Sequence, residues 1–302
     1  MMNKLVRGLQ NPFKVLDWIW MKIAPSTISD STYLKWHYYF NMRRFPNLIS
    51  PKTYNEKLQW LKINDHNLLY TKMVDKLLVK DLVEKKIGGK HVIKTLGVWE
   101  TPESIDWNTL PDKFVLKTTQ GGGNVGVVVC KNKQKFDKHA AINSLRKGLS
   151  LDLYKKSREW PYKNVKPMVF AEEYMEDEFG ELRDYKFFCF NGKVKMLFVA
   201  TDRQKREEPF FNFFDENYTP LNLKQGHPVN TIIPEKPKGY EKMVEIAEKL
   251  SEGIPHVRID LYIINGDVYF GEYTFYHFGG VVPFEPNGWD EKIGSWLDLP
   301  SK

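Results

Sequence analysis

The sequence predicts an α+β chain, with small sheets carrying helices, and three observations point there. Phe114–Lys117 and Val127–Cys130 are strand-like runs on either side of a glycine-rich tip. Two further pairs of strand-like runs flank Asn191-Gly192 and Asn265-Gly266, a dipeptide that favours tight hairpins. Between these lie amphipathic stretches that stop at Gly88 and Gly253. With 302 residues and 42% hydrophobic content, the chain can bury a core spread over two or three subdomains.

From the N-terminus, Leu5, Leu9, Phe13, Leu16 and Trp20 recur at helical spacing, with Lys4, Arg7, Lys14 and Lys22 between them and Trp18 nearby. This reads either as a helix packed on its own domain or as one lying on an anionic membrane surface. The basic interruptions argue against a signal peptide, and no apolar run approaches a membrane span. Residues from Asn55 to Lys86 read as helices, with Met73, Leu77, Leu78 and Leu82 as an apolar stripe. Val92–Trp99 is strand-like, Lys138–Lys147 helical, Pro161–Pro167 loop, and Phe170–Met175 strand again. Tyr185–Phe190 and Lys193–Ala200 make one hairpin, His256–Ile264 and Asp267–Phe275 another, and Glu241–Leu250 is an amphipathic helix between them. Arg203–Gly239 carries too few periodic signals to assign.

The glycine tip Gln120-Gly121-Gly122-Gly123-Asn124-Val125-Gly126 follows Lys117, the last residue of the incoming strand-like run. Glycines admit close backbone approach and turn N–H groups toward anions, and a lysine adds a point charge for the same oxygens, so a nucleotide-phosphate clamp is one reading. A flexible tip with no ligand is the other. Gly121, Gly123 and Gly126 satisfy G-x-G-x-x-G, but the strand-like Val127-Val128-Val129 follows where a dinucleotide fold would require a helix. No Gly-Lys-Ser/Thr follows for a P-loop, and no H-R-D or D-F-G for a protein kinase.

The last hairpin places Arg258, Asp260, Glu272 and Thr274 among apolar strand residues. Two carboxylates on facing strands suit Mg²⁺, whereas a half-exposed polar sheet face needs no metal. A two-residue turn at Asn265-Gly266 would pair 264 with 267 and put Asp260 and Glu272 on opposite faces. A three-residue loop with Gly266 in the bulge position pairs 263 with 267 and brings them to one face, diagonal to each other; this bulged register is the expectation.

Taken in order, Lys117 with its glycine hairpin, Glu172-Glu173-Tyr174-Met175, Arg258-Ile259-Asp260 and Glu272-x-Thr274 resemble the ATP-grasp superfamily. Asn55-Glu56-Lys57-Leu58, Asp75-Lys76, Leu110-Pro111-x-Lys113-Phe114-Val115-Leu116-Lys117, Asp184-Tyr185-Lys186 and Arg258-Ile259-Asp260-Leu261-Tyr262 are similar to its TupA-like branch, associated with teichuronopeptide and other surface polysaccharides. The likeness runs from about Ser50 to Leu299. It implies an ATP-grasp fold of two α+β subdomains clamping ATP, behind a helical N-terminal extension at 1–50. An N-terminal α/β subdomain would span 51–110, the glycine-hairpin subdomain 111–172, and the C-terminal subdomain with the metal site 173–302.

The same resemblance implies roles for single residues. Lys76 and Lys117 would contact nucleotide phosphates, and Gln120, Gly121, Gly122 and Gly123 would fold over them. Glu172, Glu173, Tyr174 and Met175 would form the hinge at the adenine, Asp184 would hold the ribose, and Lys186 would reach back to phosphate. Asp260, Glu272 and Thr274 would bind Mg²⁺, and Arg258 would face the developing oxyanion. Two departures stand out: Gln120-Gly121-Gly122-Gly123 replaces the branch's His-Gly-Ser-Gly wording, and Thr274, a weaker ligand, occupies a position usually held by Asn. His277 reads either as a contact to the acceptor or as a structural histidine.

The implied activity is an ATP-dependent carboxylate–amine ligase acting through an acyl phosphate. It would join an amino acid to a uronic-acid-containing surface polysaccharide or precursor; the location expected is cytoplasmic, with peripheral contact at the inner face of the membrane through the N-terminal helix a candidate. Arg203, Lys205 and Arg206 ahead of Phe210-Phe211-Asn212-Phe213-Phe214 offer cations and rings for an acidic sugar, or a charged loop before a buried strand. A glycosyltransferase is the alternative; no Asp-x-Asp occurs in the chain. The 45 Lys+Arg against 38 Asp+Glu, net +7, favour anionic partners in general, but no nucleic-acid recognition motif is present and none is expected to bind. Cys130 and Cys189, both in apolar strand contexts, fit a reducing compartment.

Overall fold

The structure is a computed structural model that describes residues 11–24, 27–120, 123, 125–177, 180, 182–202 and 208–301. Leu5, Leu9, Lys4 and Arg7 lie outside the described residues, as do Gly121, Gly122, Arg203, Lys205 and Arg206.

Two helices, α1 (Pro12–Ile23) and α2 (Asp30–Met42), begin the described chain. They pack through a polar pair, with Asp17 Oδ1 2.6 Å from His37 Nδ1 and Oδ2 accepting from Asn41 Nδ2 at 2.9 Å. Next comes α3 (Tyr54–Asn64), begun by a capping box in which Thr53 and Glu56 each accept the other's backbone N–H. The Asn55-Glu56-Lys57-Leu58 motif therefore works as scaffold here: Lys57 Nζ donates to Gly294 O and Leu297 O at 2.9 and 2.6 Å, and Asn55 N donates to Asp290 Oδ1 at 2.9 Å. Both contacts dock α9 (Gly288–Ser295).

The stripe expected over 73–82 is broken. Helices α4 (Leu68–Val74) and α5 (Val79–Ile87) are separated because Asp75 Oδ1 accepts from the N–H groups of Leu77 and Leu78 at 2.9 and 3.0 Å, which restarts the chain. Leu78 is consequently exposed, and Val74, Val79 and Val83 are the residues buried beside Met73. Part of the Pro161–Pro167 stretch expected as loop lies in a 3₁₀ turn, Trp160–Asn164.

Strands β1 (Thr95–Trp99), β2 (Phe114–Thr118), β3 (Val127–Cys130) and β4 (Val169–Glu173) form an antiparallel sheet in the order β1-β4-β2-β3. It takes strands from both sides of the boundary expected at residue 110. Its small core holds Phe114, Leu116, Cys130, Leu145, Val169 and Ala171. Helix α6 (Lys138–Leu149) supplies Leu145 and leads into the short α7 (Leu153–Ser157).

The larger sheet runs β10-β9-β5-β6-β7. Its members are β5 (Asp184–Phe190), β6 (Lys193–Thr201), β7 (Phe210–Asp215), β9 (His256–Ile264) and β10 (Asp267–Thr274). Phe211, Phe213 and Phe214 are buried in β7, the buried-strand reading of that segment. A two-stranded ribbon joins β8 (Lys224–Gln225) to β11 (Phe284–Glu285). Every residue of β5 is buried because the sheet is covered on both faces. Helix α8 (Tyr240–Ser251) packs on the face of Phe187, whose ring lies 6.0 Å from Tyr240. Tyr54 of α3 packs on the face of Phe188 and Phe190, 6.3 and 6.1 Å away.

The bulge in the β9–β10 hairpin lies elsewhere than expected. Asn265 and Gly266, both at positive φ (53° and 89°), make a two-residue turn that pairs Ile264 with Asp267, so the three-residue loop at Gly266 is wrong. The extra residue is Gly271: the register slips between Phe270 and Glu272, and Glu272 then sits directly opposite Asp260. The two carboxylates share a face as a direct pair and not a diagonal one. A Cβ at Gly271 would lie 3.0 Å from Asp260 O, which is why the slip falls on a glycine.

Candidate active site

Register builds one half of the site. Lys186 pairs with Asp260, Phe188 with Arg258, Asp260 with Glu272 and Arg258 with Thr274, so the charged residues of three strands share one sheet face. Arg258 donates Nε–H to Asp260 Oδ1 and Nη2–H to Oδ2, each at 2.7 Å, and Nη2 also donates to Thr274 Oγ1 at 3.0 Å. Lys186 Nζ donates to Asp260 Oδ2 as well and lies 3.4 Å from Asp184 Oδ2. Burial pushes the Asp260 carboxyl up, yet Arg258 and Lys186 overcome it and hold the group below its ordinary value. Glu272 stands farther off, 3.7 Å from Arg258 Nη2 and 3.9 Å from Lys76 Nζ, with its side chain 36% exposed.

The four-stranded sheet supplies the other half. Lys117 at the end of β2 and Glu172 on β4 face each other, Nζ to Oε2 at 2.5 Å, and Lys80 of α5 reaches Oε1 of the same carboxylate at 2.6 Å. Burial opposes ionisation of Glu172, but Lys117 and then Lys80 keep it below the usual glutamate range. Lys76 ties the halves together: its backbone N–H donates to Thr119 O at 3.3 Å, and its ammonium points to Glu272. The structure thus brings Lys76, Lys117, Glu172, Asp184, Lys186, Arg258, Asp260, Glu272 and Thr274 into two facing clusters.

Other expected residues are placed differently. Gln120 turns its amide to Leu149 O and Leu151 O at 2.6 and 3.1 Å, bracing the base of the glycine tip against the end of α6. Gly123 has φ of +61°. Glu173 is 3.8 Å from Lys94, and Tyr174 donates its hydroxyl to Glu176 at 2.8 Å, both toward solvent, with Met175 half-buried after them.

Several site residues escape the sequence reading. Lys80, four residues after Lys76, is one. Another is the support behind Arg258: Nη1 donates to His277 Nδ1 at 2.6 Å, which puts the histidine proton on Nε2, facing Gln225 Oε1 at 3.0 Å. Burial, then Arg258 and Lys186, hold His277 well below its ordinary value, so it is a neutral acceptor. His277 is therefore the arginine's brace, the structural reading of that residue. Lys62, fully buried, donates to Gly279 O at 2.8 Å, and burial lowers it to about 8. A cleft of about 240 Å³ opens between Gln120, Leu149, Asp152, Tyr162 and Lys163.

These residues fit a triphosphate and a hard cation. Lys76, Lys80, Lys117 and Lys186 lie around carboxylates that a phosphate chain can replace as their partners. Among the described residues no group of three or more His, Cys, Asp or Glu forms a ready cage for a metal. Asp260, Glu272 and Thr274 offer oxygen donors of the kind Mg²⁺ takes, Glu272 openly and Asp260 once Lys186 lets go.

Residues 56–298 match the family described as TupA-like ATP-grasp. No curated protein matches the chain. Among solved structures, the chain is similar to D-alanine–D-alanine ligase from Bacillus anthracis complexed with ATP, at 14% identity and TM-score 0.42, covering 73% of this chain and 61% of that one. It is similar to the ATP-grasp ligase PsnB complexed with minimal precursor, Mg and ADP, at 11% identity and TM-score 0.37, covering 73% and 57%. It is also similar to N5-carboxyaminoimidazole synthase from Aspergillus clavatus in complex with ADP and 5-aminoimidazole ribonucleotide, at 12% identity and TM-score 0.41, covering 80% and 54%. The match therefore spans less than two thirds of the length of these structures. With the family match running over most of its length, the chain belongs to the TupA-like ATP-grasp family.

Proposed function

We propose that the chain is an ATP-dependent carboxylate–amine ligase that joins an amino acid to a uronic-acid-containing cell-surface polysaccharide or its precursor. The observation that carries this reading is the convergence of Lys117 and Lys80 on Glu172, across from the Arg258–Asp260–Glu272 cluster. Lys76, Lys117 and Lys186 would hold phosphate oxygens, Glu272 and Asp260 would hold Mg²⁺, and the Glu173-Tyr174-Met175 backbone would border the adenine. Mg-ATP supplies the activated phosphoryl group: the substrate carboxylate bonds to the γ-phosphorus as ADP leaves, then the amine bonds to the acyl carbon as phosphate leaves and its proton passes to solvent. Arg258, held in place by His277, stabilises charge on the acyl oxygen. Lys163, at the rim of the cleft beside Gln120, would pair with the acidic sugar. A lipid-linked acceptor would bring the enzyme to the inner face of the membrane.

Thermal unfolding with and without Mg-ATP tests the nucleotide site. A ligand at 100 times its dissociation constant should stabilise the folded state by ~2.7 kcal/mol. The wild type should shift upward, and Lys117→Ala and Asp260→Asn should lose the shift. Incubation with a uronic-acid oligosaccharide and an amino acid should then give amide, ADP and phosphate by mass spectrometry. No shift at millimolar Mg-ATP in folded protein would overturn the nucleotide site. A phosphorylated product without amide would make the protein a kinase.

A further inference from the structure

We propose that α1, with the exposed rings of α2 and its C-terminal turn beside it, docks on an anionic lipid bilayer. The polarity of α1 is reversed relative to an ordinary surface helix. Its carboxylate, Asp17, is buried against His37 and Asn41, while Val15, Leu16, Trp18, Ile19 and Ile23 are 39, 44, 58, 37 and 69% exposed. An amphipathic helix normally turns that apolar side to its own core. Here it is held outward, because the Asp17 bonds and the Trp20 Nε1–H donated to Tyr33 O at 3.2 Å fix the helix's rotation. The surface continues beyond α1: Trp36, 41% exposed, lies 6.3 Å from Trp20, and Phe45, 51% exposed, lies 5.3 Å from Trp36. Isolated exposed apolar residues are ordinary, but a contiguous group with two tryptophans marks an interaction surface.

Charge selects the occupant. Residues 1–50 hold seven Lys and Arg against two Asp and no Glu, so five of the chain's seven net positive charges fall in its first sixth. Both aspartates are spent within the fold, Asp17 as described and Asp30 on Arg158 at 3.2 Å and the Tyr154 hydroxyl at 2.9 Å. Lys14 and Lys22 are exposed on α1 among the outward apolar side chains. A second copy of the chain would set two such cationic faces against each other, whereas anionic headgroups complement them. The helix cannot span the bilayer: its 12 residues cover about 18 Å, against about 30 Å of hydrocarbon. It lies in the interface, rings and aliphatic chains down and lysines at headgroup level.

Co-sedimentation of the full chain with phosphatidylcholine vesicles, with and without 30 mol% phosphatidylglycerol, tests this without any nucleotide. The wild type should bind the anionic vesicles at low salt and release at high salt. Trp18→Glu/Ile19→Glu should bind at least tenfold more weakly, with an unchanged melting temperature showing that it folds. Lys14→Ala/Lys22→Ala should weaken binding to anionic vesicles and reduce its salt dependence. Absence of binding by folded wild type, or binding that the Trp18→Glu/Ile19→Glu variant retains, would overturn the proposal. A dimer in solution that this variant dissociates would overturn it in favour of a second copy.

Discussion

Glu172 sits between Lys117 and Lys80, at 2.5 and 2.6 Å, in a place where burial alone would raise its carboxyl. The lysines reverse that, and its folded value lies below the ordinary 4.5. A carboxyl depressed on folding stabilises the protein above its unfolded value, and that stabilisation is lost as pH falls through the folded one. Glu172→Gln leaves two cations facing each other, at a cost of about 2 kcal/mol at pH 7, moderated because Lys117 and Lys80 keep some solvent. Denaturant unfolding across pH should show the difference between wild type and variant shrinking below pH 4.5; a constant difference down to pH 2 would sink this assignment. The sequence marks Glu172 only through the resemblance carried by Glu172-Glu173-Tyr174-Met175, and its partner Lys80 becomes visible only once Asp75 has broken the helix and re-aimed the next turn.

At the scale of elements, the glycine hairpin depends on one close approach. Gly126 has φ of +76°, and a Cβ there would come within 2.3 Å of Thr118 Oγ1 and 3.0 Å of Gly148 Cα on α6. The helix and the hairpin touch backbone to backbone, which positions the strand carrying Lys117. Gly126→Ala must distort the turn or push α6 away, at about 1–3 kcal/mol for a strained conformation. It should also reduce the Mg-ATP thermal shift; an unchanged melting temperature and an unchanged shift would show that the contact is dispensable. Both Asn-Gly hairpins are legible in sequence because type I′ turns demand that dipeptide. The bulge is less so: Gly266 and Gly271 are equally plausible by composition, and what decides is the Asp260 carbonyl and Tyr262 ring crowding Gly271. Asp260 and Glu272 reach one face by either route, so their shared face follows even from the wrong bulge. The inward Asp17 of α1 could not be read at all, since its partners His37 and Asn41 lie on the next helix.

For the whole molecule, the ATP-grasp arrangement reduces to two antiparallel sheets that each present half of a charge set, with Lys76 touching both. Alternation along each strand reveals the halves; their confrontation is a tertiary fact that no local pattern encodes. The crowding around Asp260 has a consequence for order of assembly. Its oxygens already accept from Arg258 twice and from Lys186. A free divalent cation approaching it meets two positive groups, and a free nucleotide approaching the lysines meets Glu172 and Glu272. Under the proposed function each ligand would relieve the other's repulsion, because phosphates would draw Lys186 away from the Asp260 carboxylate that a cation would need. Binding of metal and nucleotide should therefore be mutually dependent, with equal coupling measured from either side. Calorimetry should find Mg²⁺ alone too weak to detect, and ATP in chelator at least tenfold weaker than with Mg²⁺. Equal affinity in the two conditions would mean that Lys186 and Asp260 stay locked together throughout, the chain keeping its own counter-ion instead of exchanging it.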